Sequence, residues 1–314
     1  MSRPESSLLK PLVGLSVLVV AMVVARAIAD ALGVKAPWYL LHELTVMLVP
    51  MLWLLARVYP RLDDSSRVGF VVTSGLFISL SAIAELLAIG ARYWSFYEGF
   101  DPLSGLDLGA IPLEEFLSYP LLLNLPILWF LELSRARPDE PVLGPARAAG
   151  LTKVFKRASA AAFVAALGFI ALALAGPATP LDVTTPAFVD AAGAVRYAAG
   201  PKQYGWTIVQ LLGWAGTFAL GAAVAHRLRW RTVLIVVATY FPFALFVELL
   251  ACGRGWWVWN SQQTLGVFAW VLPVESFSMY LTGALMPVFC FEWLRGLWAE
   301  APEARGLSLT PRPS

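Results

Sequence analysis

The sequence predicts an all-α fold: a polytopic membrane helical bundle of about eight transmembrane helices, arranged as two parallel four-helix repeats. Three observations carry this. The chain is 59% hydrophobic and 14% charged, with a mean hydropathy of +0.69, whereas a soluble domain carries about 25% charged residues. Eight apolar stretches approach the roughly 20 residues that cross a bilayer. One pattern also occurs twice, at a spacing of half the chain.

The stretches fall near 11–33, 38–58, 68–90, 112–134, 157–176, 205–226, 231–252 and 271–295. The first is too long, and too soon followed by further spans, for a cleaved signal peptide. Lys and Arg gather before span 1, around Arg57, Arg61 and Arg67, between Arg135 and Arg157, and at Arg227, Arg229 and Arg231. The alternate connections are poorer in cations, so the sequence predicts a multi-pass protein of the cell membrane with both termini cytoplasmic. The net charge of +2 sits where topology needs it and gives no case for nucleic acid. The expected organisation is a first repeat over 1–134, a cytoplasmic linker over 135–156, a second repeat over 157–298 and a disordered tail over 299–314. Residues 177–204, rich in Pro, Ala and Thr, read as the longest external loop.

The repeat begins at Glu85-Leu-Leu-Ala and at Glu248-Leu-Leu-Ala. Each copy then passes through an aromatic loop, Tyr93, Trp94, Phe96 and Tyr97 in one and Trp256, Trp257 and Trp259 in the other. The copies go on to Pro112-Leu113-Glu114-Glu115-Phe116 and Pro273-Val274-Glu275-Ser276-Phe277. Tyr119 and Tyr280, Pro126 and Pro287, and Phe130 and Phe291 extend the match. The offset is 163 residues before the loop and 161 after it. An even number of spans per unit makes the pseudo-twofold axis run along the bilayer normal, so both aromatic loops lie at one end. One composite site between the halves follows more naturally than two.

A carboxylate in the middle of a membrane helix costs about 2.5–3.5 kcal/mol, so Glu85, Glu114, Glu115, Glu248 and Glu275 need a partner or a cavity. Pro and Glu at a first helical turn also suit the helix dipole, which is the purely structural explanation of Pro-x-Glu. Capping does not require the same motif after the same aromatic loop, and that recurrence makes Glu114 and Glu275 catalytic candidates. Glu115 has Ser276 as its counterpart, and adjacent helical residues point about 100° apart, so Glu114 and Glu115 cannot both face one ligand. Carboxyl groups clustered in apolar surroundings can hold a proton near neutral pH and take it back. Glu132 and Glu292 lie beside Arg135 and Arg295 and read as interfacial ion pairs. His42 and Glu43 read as a hydrogen-bonded pair with a proton-relay role as the alternative. Cys252 and Cys290 read as small buried hydrophobes.

Thirteen Trp exceed what packing demands. An interfacial belt is the plain explanation; aromatic faces steadying a carbocation is the chemical one. The sequence has two His, no Gly-x-Gly-x-x-Gly, no Gly-x-Ser-x-Gly and one Asp pair, Asp63-Asp64, in a basic loop. It therefore predicts acid–base chemistry with no cofactor and no metal ligands.

The segments 85–132 and 248–293 resemble the lycopene cyclase domain of the heterodimeric and fused membrane-type carotenoid cyclases. The resemblance rests on Arg92-Tyr93-Trp94 and Gly255-Trp256-Trp257-Val258-Trp259-Asn260, each followed by its Pro-x-Glu motif. It implies two tandem domains acting together to turn the acyclic ends of a carotenoid, a polyene lipid drawn from the bilayer, into rings. A protonated Glu114 or Glu275 would protonate the terminal alkene. The internal alkene would close a six-membered ring, and a second carboxylate, from Glu115, Glu85 or Glu248, would remove a proton without net oxidation. Tyr93, Trp94, Trp256, Trp257, Trp259, Asn260, Tyr119 and Tyr280 are the expected substrate-binding residues, and other membrane enzymes of carotenoid synthesis are expected partners. A carotenoid hydratase or other polyene isomerase, and a proton-coupled transporter, are the alternatives. Glu at 85 and 248, where Asp is often expected, and Ser at 276 depart from the family pattern and leave ring type and the number of ends cyclised open.

Overall fold

The structure is a computed structural model and describes residues 5–96, 103–108, 111–176, 188–189, 195–196, 202–254 and 256–300. Helix α1 (Glu5–Ala31) is followed by α2 (Trp38–His42), a π-helical turn (Glu43–Leu48), α3 (Val49–Val58) and one 3₁₀ turn (Tyr59–Arg61). Helix α4 (Asp64–Gly90) leads into strand β1 (Trp94–Phe96), the hairpin β2 (Asp107–Leu108) and β3 (Ile111–Pro112), and α5 (Leu113–Ala136). Helix α6 (Pro145–Ala175) precedes the pair β4 (Phe188–Val189) and β5 (Val195–Arg196). The second half continues with α7 (Gly205–Val224), α8 (Trp230–Gly253), β6 (Trp257–Trp259), the hairpin β7 (Phe268–Ala269) and β8 (Leu272–Pro273), and α9 (Val274–Glu300).

Seven helical stretches are long and apolar enough to cross a membrane, and α1 adds an eighth long helix of 27 residues. The protein is an all-α multi-pass membrane bundle. Two elements differ from the sequence expectation. The stretch 38–58, expected as one regular span, widens into the π turn just before Pro50; proline has no N–H to return to the carbonyl four residues back, and the wider turn absorbs the gap. Helix α6 starts at Pro145, inside the expected linker, because proline suits a first helical turn and Ala-rich sequence follows it. The tail beyond Glu300 and most of residues 177–201 lie outside the described residues.

Capping is legible at α4. The Asp63 carboxylate accepts from the Ser66 N–H at 2.7 Å and from the Ser65 hydroxyl at 2.8 Å. Against the burial that would raise it, these bonds and the nearby Arg295 charge hold Asp63 below the ordinary carboxylate range.

Helices α5 and α9, the fourth spans of the two repeats, form the centre. Helix α4 packs on α5 and also crosses onto α9; α8 packs on α9 and also crosses onto α5. The halves are thus interleaved. Leu125, Leu128, Phe130, Ala284, Val288 and Phe291 fill the core between them. Because lipid is as apolar as the core, close packing and interhelical hydrogen bonds hold such a bundle together. Trp129 donates to the Thr239 hydroxyl at 2.9 Å and Tyr240 to the Leu122 carbonyl at 3.0 Å, both between repeats. Helix α6 packs on α7 at the periphery.

Candidate active site

The two aromatic loops meet as an antiparallel pair. Trp94 faces Trp259, Ser95 faces Val258 and Phe96 faces Trp257. By the repeat, Trp94 corresponds to Trp257, Ser95 to Val258 and Phe96 to Trp259. The pairing is therefore self-complementary about the Ser95–Val258 position, as a twofold contact between like subunits would be. The approach to it is also repeated: the Tyr93 N–H reaches the Ala88 carbonyl and the Trp256 N–H the Ala251 carbonyl, both at 2.9 Å. The pseudo-twofold axis expected from the sequence passes through this pair, and the carboxylates surround it.

Each repeat contributes one buried Glu from the helix before its loop. Glu85 Oε1 accepts from the Trp94 indole at 2.8 Å. Its counterpart Glu248 accepts at Oε1 from the Trp257 and Trp259 indoles at 3.1 and 2.8 Å, and from the Cys252 thiol at 3.4 Å. The Tyr280 hydroxyl donates to Glu248 Oε2, and Tyr119, the counterpart of Tyr280, lies beside Glu85. The two Glu are thus not equally engaged. Glu248 is ringed by four donors from its own repeat, whereas Glu85 has Trp94 and Tyr119 beside it and Glu115 within electrostatic reach.

Glu115 is the hub. Its Oε2 accepts from the hydroxyl of Tyr39, a residue with no exposed surface. Glu85, Glu43 and Glu248 all lie within its electrostatic reach. Glu115 is only partly buried as a residue, whereas Glu43, Glu85, Glu114 and Glu248 are each at most 4% exposed. The Tyr39 ring stacks on Trp256 at 4.9 Å and meets the edge of Trp257 at 5.3 Å. A wall of Trp206, Trp259 and Trp94, with centroids 4.9–5.2 Å apart, and then Tyr93, stands on the other side.

Glu114 and Glu275 occupy equivalent positions and make equivalent bonds. Glu114 accepts from the Ser104 N–H at 2.5 Å and Glu275 from the Leu265 N–H at 2.6 Å, residues related by the same 161-residue offset. Each carboxylate latches its own hairpin onto the first turn of its own helix. Glu275 also accepts from the Thr207 hydroxyl at 2.7 Å, and Glu114 lies near Glu43. In both, Oε2 is buried with no hydrogen-bond partner among the described residues.

The remaining expected residues divide clearly. Asn260 turns its loop: its side chain donates to the Arg92 carbonyl at 2.9 Å and accepts from the Gln262 N–H at 2.9 Å. The ion pairs hold, with Glu132 2.7 Å from Arg57 and 3.0 Å from Arg135, and Glu292 2.6 Å from Arg295. His42 and Glu43 do not bond; both imidazole nitrogens lack partners among the described residues, and the ring faces Trp256 at 5.9 Å. Cys252 touches Glu248 as well as packing. Tyr97 and Gly255 fall outside the described residues. Reading the sequence missed Tyr39 and Trp206, whose contacts mirror one another: Tyr39 lies on Trp256 and Trp257, and Trp206, which follows Gly205, lies on Tyr93 and Trp94. Gly205 is needed there, since a Cβ would fall 2.5 Å from the Tyr93 ring.

A family model described as lycopene cyclase matches residues 36–133 and 202–294, more than half of the chain. The chain belongs to the lycopene cyclase family. No curated protein and no solved structure matches it. The family ties the chain to carotenoid biosynthesis and, in general terms, to carotenoid cyclase activity. The two matched segments run from α2 through α5 and from just before α7 into α9, so the cyclase unit is three spans plus the aromatic loop and hairpin. Helices α1 and α6, one per repeat, lie outside it.

Proposed function

We propose that this chain closes end rings on a linear carotenoid by protonation, cyclisation and deprotonation, with Glu115 as proton donor and Glu85 as the base. The observation that carries the assignment is the Tyr39–Glu115 hydrogen bond at the centre of a carboxyl cluster walled by tryptophans of both repeats. The Glu115 proton goes to the terminal alkene and leaves a tertiary cation. The neighbouring alkene supplies its electron pair, forming the ring C–C bond and moving the cation into the ring. Glu85 takes a proton from the adjacent carbon and restores the alkene, then returns it to Glu115. Atoms and electrons balance, so the product is an isomer of the substrate.

Glu248, an acceptor for four donors, fits the part of a fixed negative charge facing the cation, and the faces of Trp94, Trp257 and Trp259 add to it. Close aromatic packing excludes the water that would trap the cation. In this reading Glu114 and Glu275 position the hairpins that roof the site. Entry is sideways from the bilayer toward the partly exposed Glu115.

The test is expression in a lycopene-accumulating bacterial host, with pigments analysed by chromatography and mass spectrometry. A product of unchanged mass and shortened chromophore is expected, lost in Glu115→Gln. A product heavier by one water would instead make the chain a hydratase. Unchanged lycopene with the protein present in the membrane would sink the reading for that substrate.

A further inference from the structure

At the end of the bundle away from the aromatic loops, a cavity of about 500 Å³ opens between the two repeats. Five arginines from both halves line it: Arg61, Arg135, Arg227, Arg229 and Arg295. Its apolar floor is Val58, Leu62, Phe130 and Leu131. No lysine lines it. The cations of α6, Lys153, Lys156 and Arg157, line no part of it, although they are as exposed as Arg61 and Arg135. A topology signal needs only positive charge at this end; it needs neither convergence on one cavity nor the guanidinium fork.

The charges do not cancel within the cavity. Glu132 is taken by Arg57 and Arg135, Glu292 by Arg295, Glu300 by Arg227 and Asp64 by Arg67, while Asp63 caps α4. Arg229 spends its guanidinium on the carbonyls of Ser134, Arg137 and Pro138, and so has no carboxylate. Arg61 has no hydrogen-bond or ion-pair partner among the described residues. The Arg295 Nε and the Ser134 hydroxyl are buried without partners. Donors in excess, with few acceptors left and an apolar floor beside them, call for an anionic oxygen group on an apolar molecule.

We propose that this cavity binds a phosphate group, with Arg61 and Arg295 as its principal donors, and that an anionic phospholipid headgroup is its source. Guanidinium pairs with phosphate in a bidentate manner, and basic pockets between membrane helices take lipid headgroups. The floor then receives the first acyl carbons. The site lies across the interleaved interface, so a bound lipid joins the two repeats at the end opposite the strand pair.

The test uses the full chain, delipidated in uncharged detergent, with phosphatidylglycerol, phosphatidylcholine or inorganic phosphate added and binding read by native mass spectrometry. Phosphatidylglycerol is expected to bind preferentially. Arg61→Ala should weaken it about fivefold, Arg61→Lys less, and Lys153→Ala not at all. Arg295→Gln repeats the test from the opposite wall. Arg61-dependent binding of inorganic phosphate alone would support the phosphate site and reassign its source. Binding that no arginine substitution weakens, or weakening equal to that of Lys153→Ala, would overturn the proposal.

Discussion

The two Pro-x-Glu turns are built alike and surrounded differently. Glu114 and Glu275 hold the amides of Ser104 and Leu265, residues that the repeat makes equivalent. One position further on, Glu115 meets Tyr39, Glu85 and Glu43, while Ser276 is fully buried with its hydroxyl unpaired among the described residues. The second span explains the difference: the first repeat sets Tyr39 on Trp256 and Trp257 and beside Glu115, and the second sets Trp206 on Tyr93 and Trp94. The repeated glutamate holds a backbone amide in both copies, and the unrepeated one sits where the carboxyls converge.

Four predictions press on this comparison. The largest effect is expected from Glu115→Gln, about 10²–10⁴-fold in ring formation, the usual reach of a general acid, measured as product per unit of membrane-inserted protein. Exchanging the pair, Glu115→Ser with Ser276→Glu, restores the motif in the other repeat. It should still leave activity below about one tenth of normal, because Trp206 stands where Tyr39 would be needed; full recovery would show that the two halves are interchangeable. Tyr39→Phe removes one hydrogen bond to the proposed acid and should lower turnover about tenfold with the fold intact. Glu275→Gln keeps an acceptor for the Leu265 amide and should cost less than tenfold, appearing mainly as a lower unfolding temperature.

The smallest effect concerns a region with no part in the chemistry. Asp63→Ala removes the cap of α4 and should cost about 1 kcal/mol, read by thermal unfolding in detergent at pH 7. Because Asp63 is held below its ordinary value of 3.8 when folded, its contribution is present above that pH and disappears as pH falls through the folded value. The difference between the two proteins should therefore close in acid.

Sequence alone was enough for the bundle, the doubled unit and the family. Each rests on something periodic or repeated along the chain: apolar stretches long enough to span lipid, an offset of 163 and then 161 residues, and matched aromatic loops. The carboxylates were legible too, because charge inside a membrane span is costly enough to single out each residue that carries it. Their hydrogen-bond partners were not. Nothing at Glu114 announces that one oxygen is spent on a backbone amide ten residues earlier, and nothing at Tyr39 announces a bond to a residue 76 positions away. Those contacts lie within the first repeat, where the chain before the hairpin folds back onto the start of α5 and α2 packs against α5. A repeat tells which residues are equivalent; only packing decides which of the equivalents meet.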